Sequence, residues 1–150
     1  MATRGFEFAY MLDGSNATPL IRDWGMNADA SGYKAGDLLQ IDSDGYMTQG
    51  TASVGEVSAI CQETTTDAVT DGDELKVAIV TPNQVWRCSM DASSTNAKVG
   101  YTKTIDIEDE NTLDADDLNN GSIALVDTDT DDDGNVLAYV SFADTTFGNT

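Results

Sequence analysis

The stretch Leu75 to Met90, LKVAIVTPNQVWRCSM, constrains the fold more than any other window in the chain. Leu75, Val77 and Ile79 share one face at period two, with Lys76, Ala78 and Val80 on the other, which is the alternation of a β-strand. After Pro82 and Asn83 the rhythm resumes: Trp86, Cys88 and Met90 fall on one side, with Val85, Arg87 and Ser89 opposite. This density of β-branched residues predicts the central pair of strands of a β-domain. Proline lacks the N–H a ladder needs and presets the second position of a type I or II turn, whereas tight hairpins prefer the primed turns. The two strands are therefore joined by a wider corner, or they form one long strand bulged at an edge.

The same vocabulary recurs downstream. Leu38 to Ile41 reads as a strand, and Asp42-Ser43-Asp44-Gly45 as a hairpin turn with Tyr46-Met47-Thr48 returning. Strands are expected at 38–41, 57–61, 75–81, 84–90 and 136–142, the last closing a hairpin with Ser122 to Val126. Val99 to Thr102 and Ile105 to Ile107 read as short strands. Ala92 to Ser94 reads as a helical turn, and Glu108 to Asn120 as a long acidic loop with a helical turn at Asp114 to Leu118. Short strands at regular spacing with turn residues between them define an all-β fold, a small β-barrel or sandwich. No stretch carries a sustained helical period.

Residues 1 to 32 differ from the rest. Phe6, Phe8, Tyr10, Leu20, Ile21, Trp24 and Met26 sit among Gly, Asn and Pro breakers, too apolar for a disordered tail and too interrupted for a regular element. The reading is an extended N-terminal arm, 1–32, followed by a barrel or sandwich domain, 33–150. These seven residues are the candidate contacts of the arm, either with its own domain or with a neighbouring subunit.

Charge narrows the function classes. The 150 residues hold 27 acidic and 7 basic side chains and no histidine, a formal net charge of −20. Phosphate neutralisation needs clustered Lys and Arg, so nucleic acid is not expected as a partner. Without histidine, neither a Ser-His-Asp nor a Cys-His nucleophile can be assembled, and no phosphate-cradling glycine loop is present. An enzyme is not expected, and no catalytic or cofactor-binding residue is assigned. Cys61 and Cys88 are too few for a zinc site and read as buried thiols, with a single cross-strand disulfide the alternative. Asp129-Thr130-Asp131-Asp132-Asp133-Gly134-Asn135-Val136 matches the opening of a calcium loop, but Val140 stands where the bidentate Glu belongs. An acidic hairpin turn without a tight metal site is expected. The opening Met1 to Phe8 has no apolar run of signal-peptide length and no window approaches a membrane span, so synthesis in a cytoplasm and no membrane partner are expected.

Ala35-Gly36-Asp37-Leu38-Leu39, Asp42-Ser43-Asp44-Gly45-Tyr46, Val54-Gly55-Glu56-Val57-Ser58-Ala59-Ile60, Lys76-Val77-Ala78-Ile79-Val80 and Val136 to Phe142 occur in an order that resembles the small β-rich head decoration, or cement, proteins of tailed bacteriophages. The resemblance runs from about Tyr33 to the C-terminus. It implies a non-enzymatic virion protein on the outside of the capsid, made in the host cytoplasm, often a homotrimer, with the major capsid protein as partner. The competing expectation is an acidic DNA mimic that inhibits a nucleic-acid-binding protein, although here the carboxylates crowd into turns instead of forming regular rows.

Overall fold

A computed structural model describes residues 5–51, 56–90, 106–110, 112–114, 123–130 and 136–148. Its strands in chain order are β1 (Glu7–Met11), β2 (Ile21–Gly25), β3 (Leu38–Ile41), β4 (Met47–Gln49), β5 (Ala59–Cys61), β6 (Glu74–Ile79), β7 (Gln84–Met90), β8 (Asp106–Asp109), β9 (Thr112–Asp114), β10 (Ile123–Thr130) and β11 (Val136–Phe142). They form two sheets. One runs β10-β11-β7-β9-β8, with β1 also on β7; the other runs β2-β6-β5-β3-β4. Among the described strands every ladder is antiparallel except β7 with β9, where Ser89 and Met90 face Thr112 and Leu113 in parallel.

The fold is all-β, and sandwich describes it better than barrel. A bridge between Met26 and Met47 brings the outer strands of the second sheet towards each other, but among the described residues no ladder closes the ring.

Leu75 to Met90 is not a central pair, which corrects the sequence expectation. β6 belongs to one sheet and β7 to the other. Pro82 explains the separation: the Gln84 N–H donates to the Thr81 carbonyl at 3.2 Å, so Pro82 occupies the second position of a turn that carries the chain across the sandwich. Asp44-Gly45 does make the expected hairpin. The Gly45 N–H donates to Asp42 O at 3.1 Å, and Gly45 takes φ 85°, the left-handed conformation such a three-residue loop requires.

Residues 5 to 32 are more regular than their sequence suggests. β1 pairs with β7 and β2 with β6, so this segment contributes one strand to each sheet. The register of β1 slips between Phe8 and Tyr10, a bulge that breaks the alternation and hides the strand from a period-two reading. Other boundaries move as well. β5 starts at Ala59 because Val57 instead bridges Thr145, and β6 ends at Ile79 as Val80 enters the corner. The acidic stretch after Ile107 is partly strand, in β8 and β9, where a loop was expected. The expected elements at 92–94 and 99–102, the helical turn beyond Asp114, and the tip of the acidic turn at 131–135 lie outside the described residues.

Two cores result. Between the sheets, Trp86, Cys88, Val140, Phe142, Leu125 and Phe6 pack against Leu38, Ile60 and Ala78. The far face of the second sheet carries Leu39, Met47, Ala59, Cys61, Val77 and Ile79, packed with Met26, Tyr33 and Val69. β5 is buried on both faces because it lies between the two cores. Removing such side chains from water stabilises at roughly 25 cal/mol per Å² of apolar area, so these two clusters hold the fold together.

Candidate functional site

The seven residues singled out in the N-terminal segment divide by burial. Phe6 and Met26 are core residues at 2% and 0% exposure, so they serve inside the domain. Phe8 is half-buried against the inter-sheet core and meets Trp86 edge-on at 5.6 Å. Trp24 packs on the second core, meets Phe147 at 5.8 Å and donates its indole N–H to Gly45 O at 3.0 Å. Tyr10, Leu20 and Ile21 are exposed. With Leu12 they make up the large exposed hydrophobics among the described residues, at 44, 60, 49 and 49% for Tyr10, Leu20, Ile21 and Leu12.

Main-chain register places these four residues in a row beside the β6–β7 corner. Ile21 pairs with Ala78, and the Ile79 N–H donates to Leu20 O at 2.9 Å. The Leu12 N–H donates to Asn83 O at 2.8 Å, and Tyr10 pairs with Val85. These four exposed residues, an apolar strip along the main chain of the corner, run from one sheet to the other. Scattered exposed hydrophobics are ordinary; four of them beside one corner mark a candidate contact surface.

A second feature lies on the outer face of the first sheet. Four neighbouring strands place Asp127, Tyr139, Arg87 and Glu7 in one cross-strand row, through the pairs Asp127↔Tyr139, Tyr139↔Arg87 and Arg87↔Glu7. Arg87 binds Glu7 at 2.7 Å. That bond, and after it the one to Tyr139, holds the guanidinium pKa above its ordinary value. Arg87 Nε is buried and has no hydrogen-bond partner among the described residues. The bulge at Ala9 puts Tyr10 on this face, where its ring stacks with that of Tyr139 at 6.3 Å. Partial burial, then the nearby Asp127 charge, raises the Tyr10 pKa. Tyr10, Arg87, Asp127 and Tyr139, together with Phe8, Thr128 and Asp129, line an open groove of about 620 Å³. The sequence signal for it was weak, since its members come from four strands far apart in the chain.

Both cysteines are buried free thiols. They cannot meet, because Cys61 lies in the far-face core and Cys88 between the sheets. Burial pushes the Cys61 thiol up to about 11 and raises that of Cys88 as well. No group of three or more Cys, Asp or Glu side chains is arranged to hold a metal among the described residues. No described helix is long and apolar enough to cross a membrane.

What fold and surface define together is an acidic two-sheet β-sandwich with an apolar strip and a polar groove that meet at Tyr10. No protein-family model matches the chain, and no curated protein or solved structure matches it significantly.

Proposed function

We propose that this protein is a non-enzymatic virion structural protein that decorates and stabilises the outside of a phage capsid, with the major capsid protein as its partner. The observation that carries the reading is the apolar strip: Tyr10, Leu12, Leu20 and Ile21 stand exposed in one short segment beside the corner joining the two sheets. The order of motifs from Ala35 to Phe142 supports it from the sequence side. A strip of this kind gives modest affinity per copy, but copies repeated over every symmetric position of a shell act together.

The test compares rupture temperatures of purified particles stripped of the protein, with and without the protein added back. Bound wild-type protein should raise the rupture temperature. A Leu20→Asp, Ile21→Asp variant that keeps its fold should neither bind nor protect. Equal rupture temperatures with wild-type protein bound would refute the cement role. Binding that survives the double substitution would refute the strip as the contact. Anchoring by apolar surface predicts little weakening in high salt, whereas a carboxylate mimic of DNA would lose its partner steeply.

A further inference from the structure

We propose that the open edge of β2 pairs with the β2 edge of a second copy of this chain, antiparallel and centred on Ile21, and that this pairing covers Leu20 and Ile21 while the protein is unbound.

Hydrogen-bond parity along β2 identifies the open groups. The Ile79 N–H donates to Leu20 O and the Met26 N–H to Asp73 O, so Leu20, Arg22, Trp24 and Met26 turn their main-chain polar groups towards β6. Ile21, Asp23 and Gly25 turn theirs the other way. Asn27, next in that series, donates its N–H to Met47 O. A Cβ at Gly25 would stand 3.1 Å from the Tyr46 ring, and the Trp24 indole N–H donates to Gly45 O. The β3–β4 hairpin therefore covers this side of β2 from Trp24 onwards. Among the described residues no hydrogen bond takes the main-chain N–H or C=O of Ile21 or Asp23. Such an edge is a template for another strand. Other edges are blunted, β1 by its bulge and β10 by Asp127 and Asp129.

The register suits a second copy. A two-fold axis normal to the sheet relates two such edges, so an outward-turned residue has to face an outward-turned one. Centred on Ile21, the pairing sets Ile21 against the partner's Ile21, Leu20 against the partner's Arg22, and Pro19 against the partner's Asp23. Each Ile21 N–H then meets the opposite Ile21 O, and each Asp23 N–H meets the opposite Pro19 O. Pro19 has no N–H to leave unpaired at this edge. Leu20 and Ile21, at 60 and 49% exposure, are both covered, Leu20 by the aliphatic stem of the opposite arginine. No like charges lie directly across from each other. Centring on Arg22 instead opposes two guanidinium groups and drives Leu20 into the hairpin at Gly45, whereas centring on Leu20 leaves Asp23 without a bond. Residues 19–23 are far fewer than the roughly 20–30 a side of a stable interface, so the pairing is weak. Copies of net charge −20 repel, so it tightens as salt is added. Leu20 and Ile21 also belong to the surface proposed to meet the capsid, so the two contacts exclude each other, but the pairing does not rest on that reading.

The experiment uses the full chain without capsids, so its failure leaves the shell reading standing. Sedimentation is followed from about 10 μM to about 1 mM protein in about 1 M sodium chloride, where screening shortens to about 3 Å. Wild-type protein should show a reversible monomer–dimer equilibrium. Facing residues of a hydrogen-bonded antiparallel pair lie about 5.5 Å apart at Cα, within the roughly 4.4–6.8 Å that a disulfide spans. Under mild oxidation Ile21→Cys should therefore form linked dimers about tenfold or more faster than Asp23→Cys, whose thiols stand about 14 Å apart in this register. Cys61 and Cys88 are buried and do not compete. Ile21→Lys, at a site already 49% exposed, keeps the fold, opposes two ammonium groups and should stay monomeric. The proposal is overturned if the wild type is monomeric throughout, if Ile21→Cys links no faster than Asp23→Cys, or if Ile21→Lys associates as the wild type does.

Discussion

The indole N–H of Trp86 donates to the side-chain carbonyl of Gln84 at 3.0 Å, inside the corner where the chain passes from one sheet to the other. Gln84 is only 4% exposed and does more than serve Trp86. Its Oε1 also accepts the Thr81 N–H at 3.2 Å, and its Nε2 donates to Ile79 O at 3.0 Å. One buried carboxamide therefore pairs two backbone groups on the β6 side of the turn and the largest side chain of the inter-sheet core.

Replacing Gln84 with Leu keeps much of the volume but orphans these partners. Each buried unsatisfied polar group costs about 1–3 kcal/mol. The expected loss is on the order of 3 kcal/mol, allowing for relaxation. Urea unfolding checks it, and a change below about 1 kcal/mol would show that the carboxamide is dispensable.

Gly36 takes φ 97°, and a Cβ there would meet Gly5 Cα at 2.8 Å. The Phe6 N–H donates to Gly36 O at 2.8 Å across the same crossing. Gly36→Ala combines left-handed strain with a backbone clash, so a loss of about 2 kcal/mol or more is expected. Thermal unfolding measures it; Gly14→Ala, with φ 76° but nothing near its Cβ, should cost less.

Stability should fall in alkaline solution. Burial raises the Cys61 thiol from 9.0 to about 11 and the Tyr33 phenol from 10.0 to about 12, and Cys88 moves the same way. The unfolded chain loses these protons first, so their contribution is intact below pH 9.0 and is lost progressively up to about pH 12. Denaturation midpoints measured from pH 7 to pH 12 should decline through that window. Cys61→Ala and Cys88→Ala together should flatten the first part of the decline.

Neither thiol should react in the folded protein at neutral pH, because both are buried and protonated. A chromogenic disulfide reagent should label both in denaturant and neither without it. Rapid stoichiometric labelling of the native chain would contradict the burial.

Self-association, including a trimer of the kind the proposed capsid role would use, should depend on salt. Copies with net charge −20 repel until ions screen them, to a Debye length of about 3 Å at 1 M. Sedimentation should show larger species at high than at low ionic strength. A trimer that dissociates as salt is added would place charge pairing, not the apolar strip, at the contact.

Much of the sheet framework was legible in the sequence wherever alternation was clean. Residues 38–41, 84–90 and 136–142 are strands with the expected bounds, because each alternates or is bounded by turn residues. The strands of residues 1 to 32 were not legible, since the bulge at Ala9 resets which face each side chain takes. β10 was expected to stop near Val126, but it continues through Asp127, Thr128 and Asp129, whose acidic and threonine composition resembles a turn. The relation of β6 to β7 was the largest miss. Pro82 marked the corner, yet local chemistry does not record that the corner changes sheets. For the candidate surfaces, the sequence picked out Tyr10, Leu20 and Ile21 by their apolarity, but could not separate them from Phe6 and Met26, which the fold buries. The groove depends on the register of four strands and had no local signature.

Two crossings run side by side between the sheets. The chain passes from β1 to β2 along the same corner by which it passes from β6 to β7, and main-chain bonds from Leu12 to Asn83 and from Ile79 to Leu20 tie the two together. Under mechanical load this is a double strap. A force that tries to peel one sheet from the other pulls on two covalent spans and the hydrogen bonds between them, not on side-chain packing alone. Tension applied at the strip would therefore be shared by both sheets at once, and rupture should come as one event at high force rather than as the separate failure of two layers.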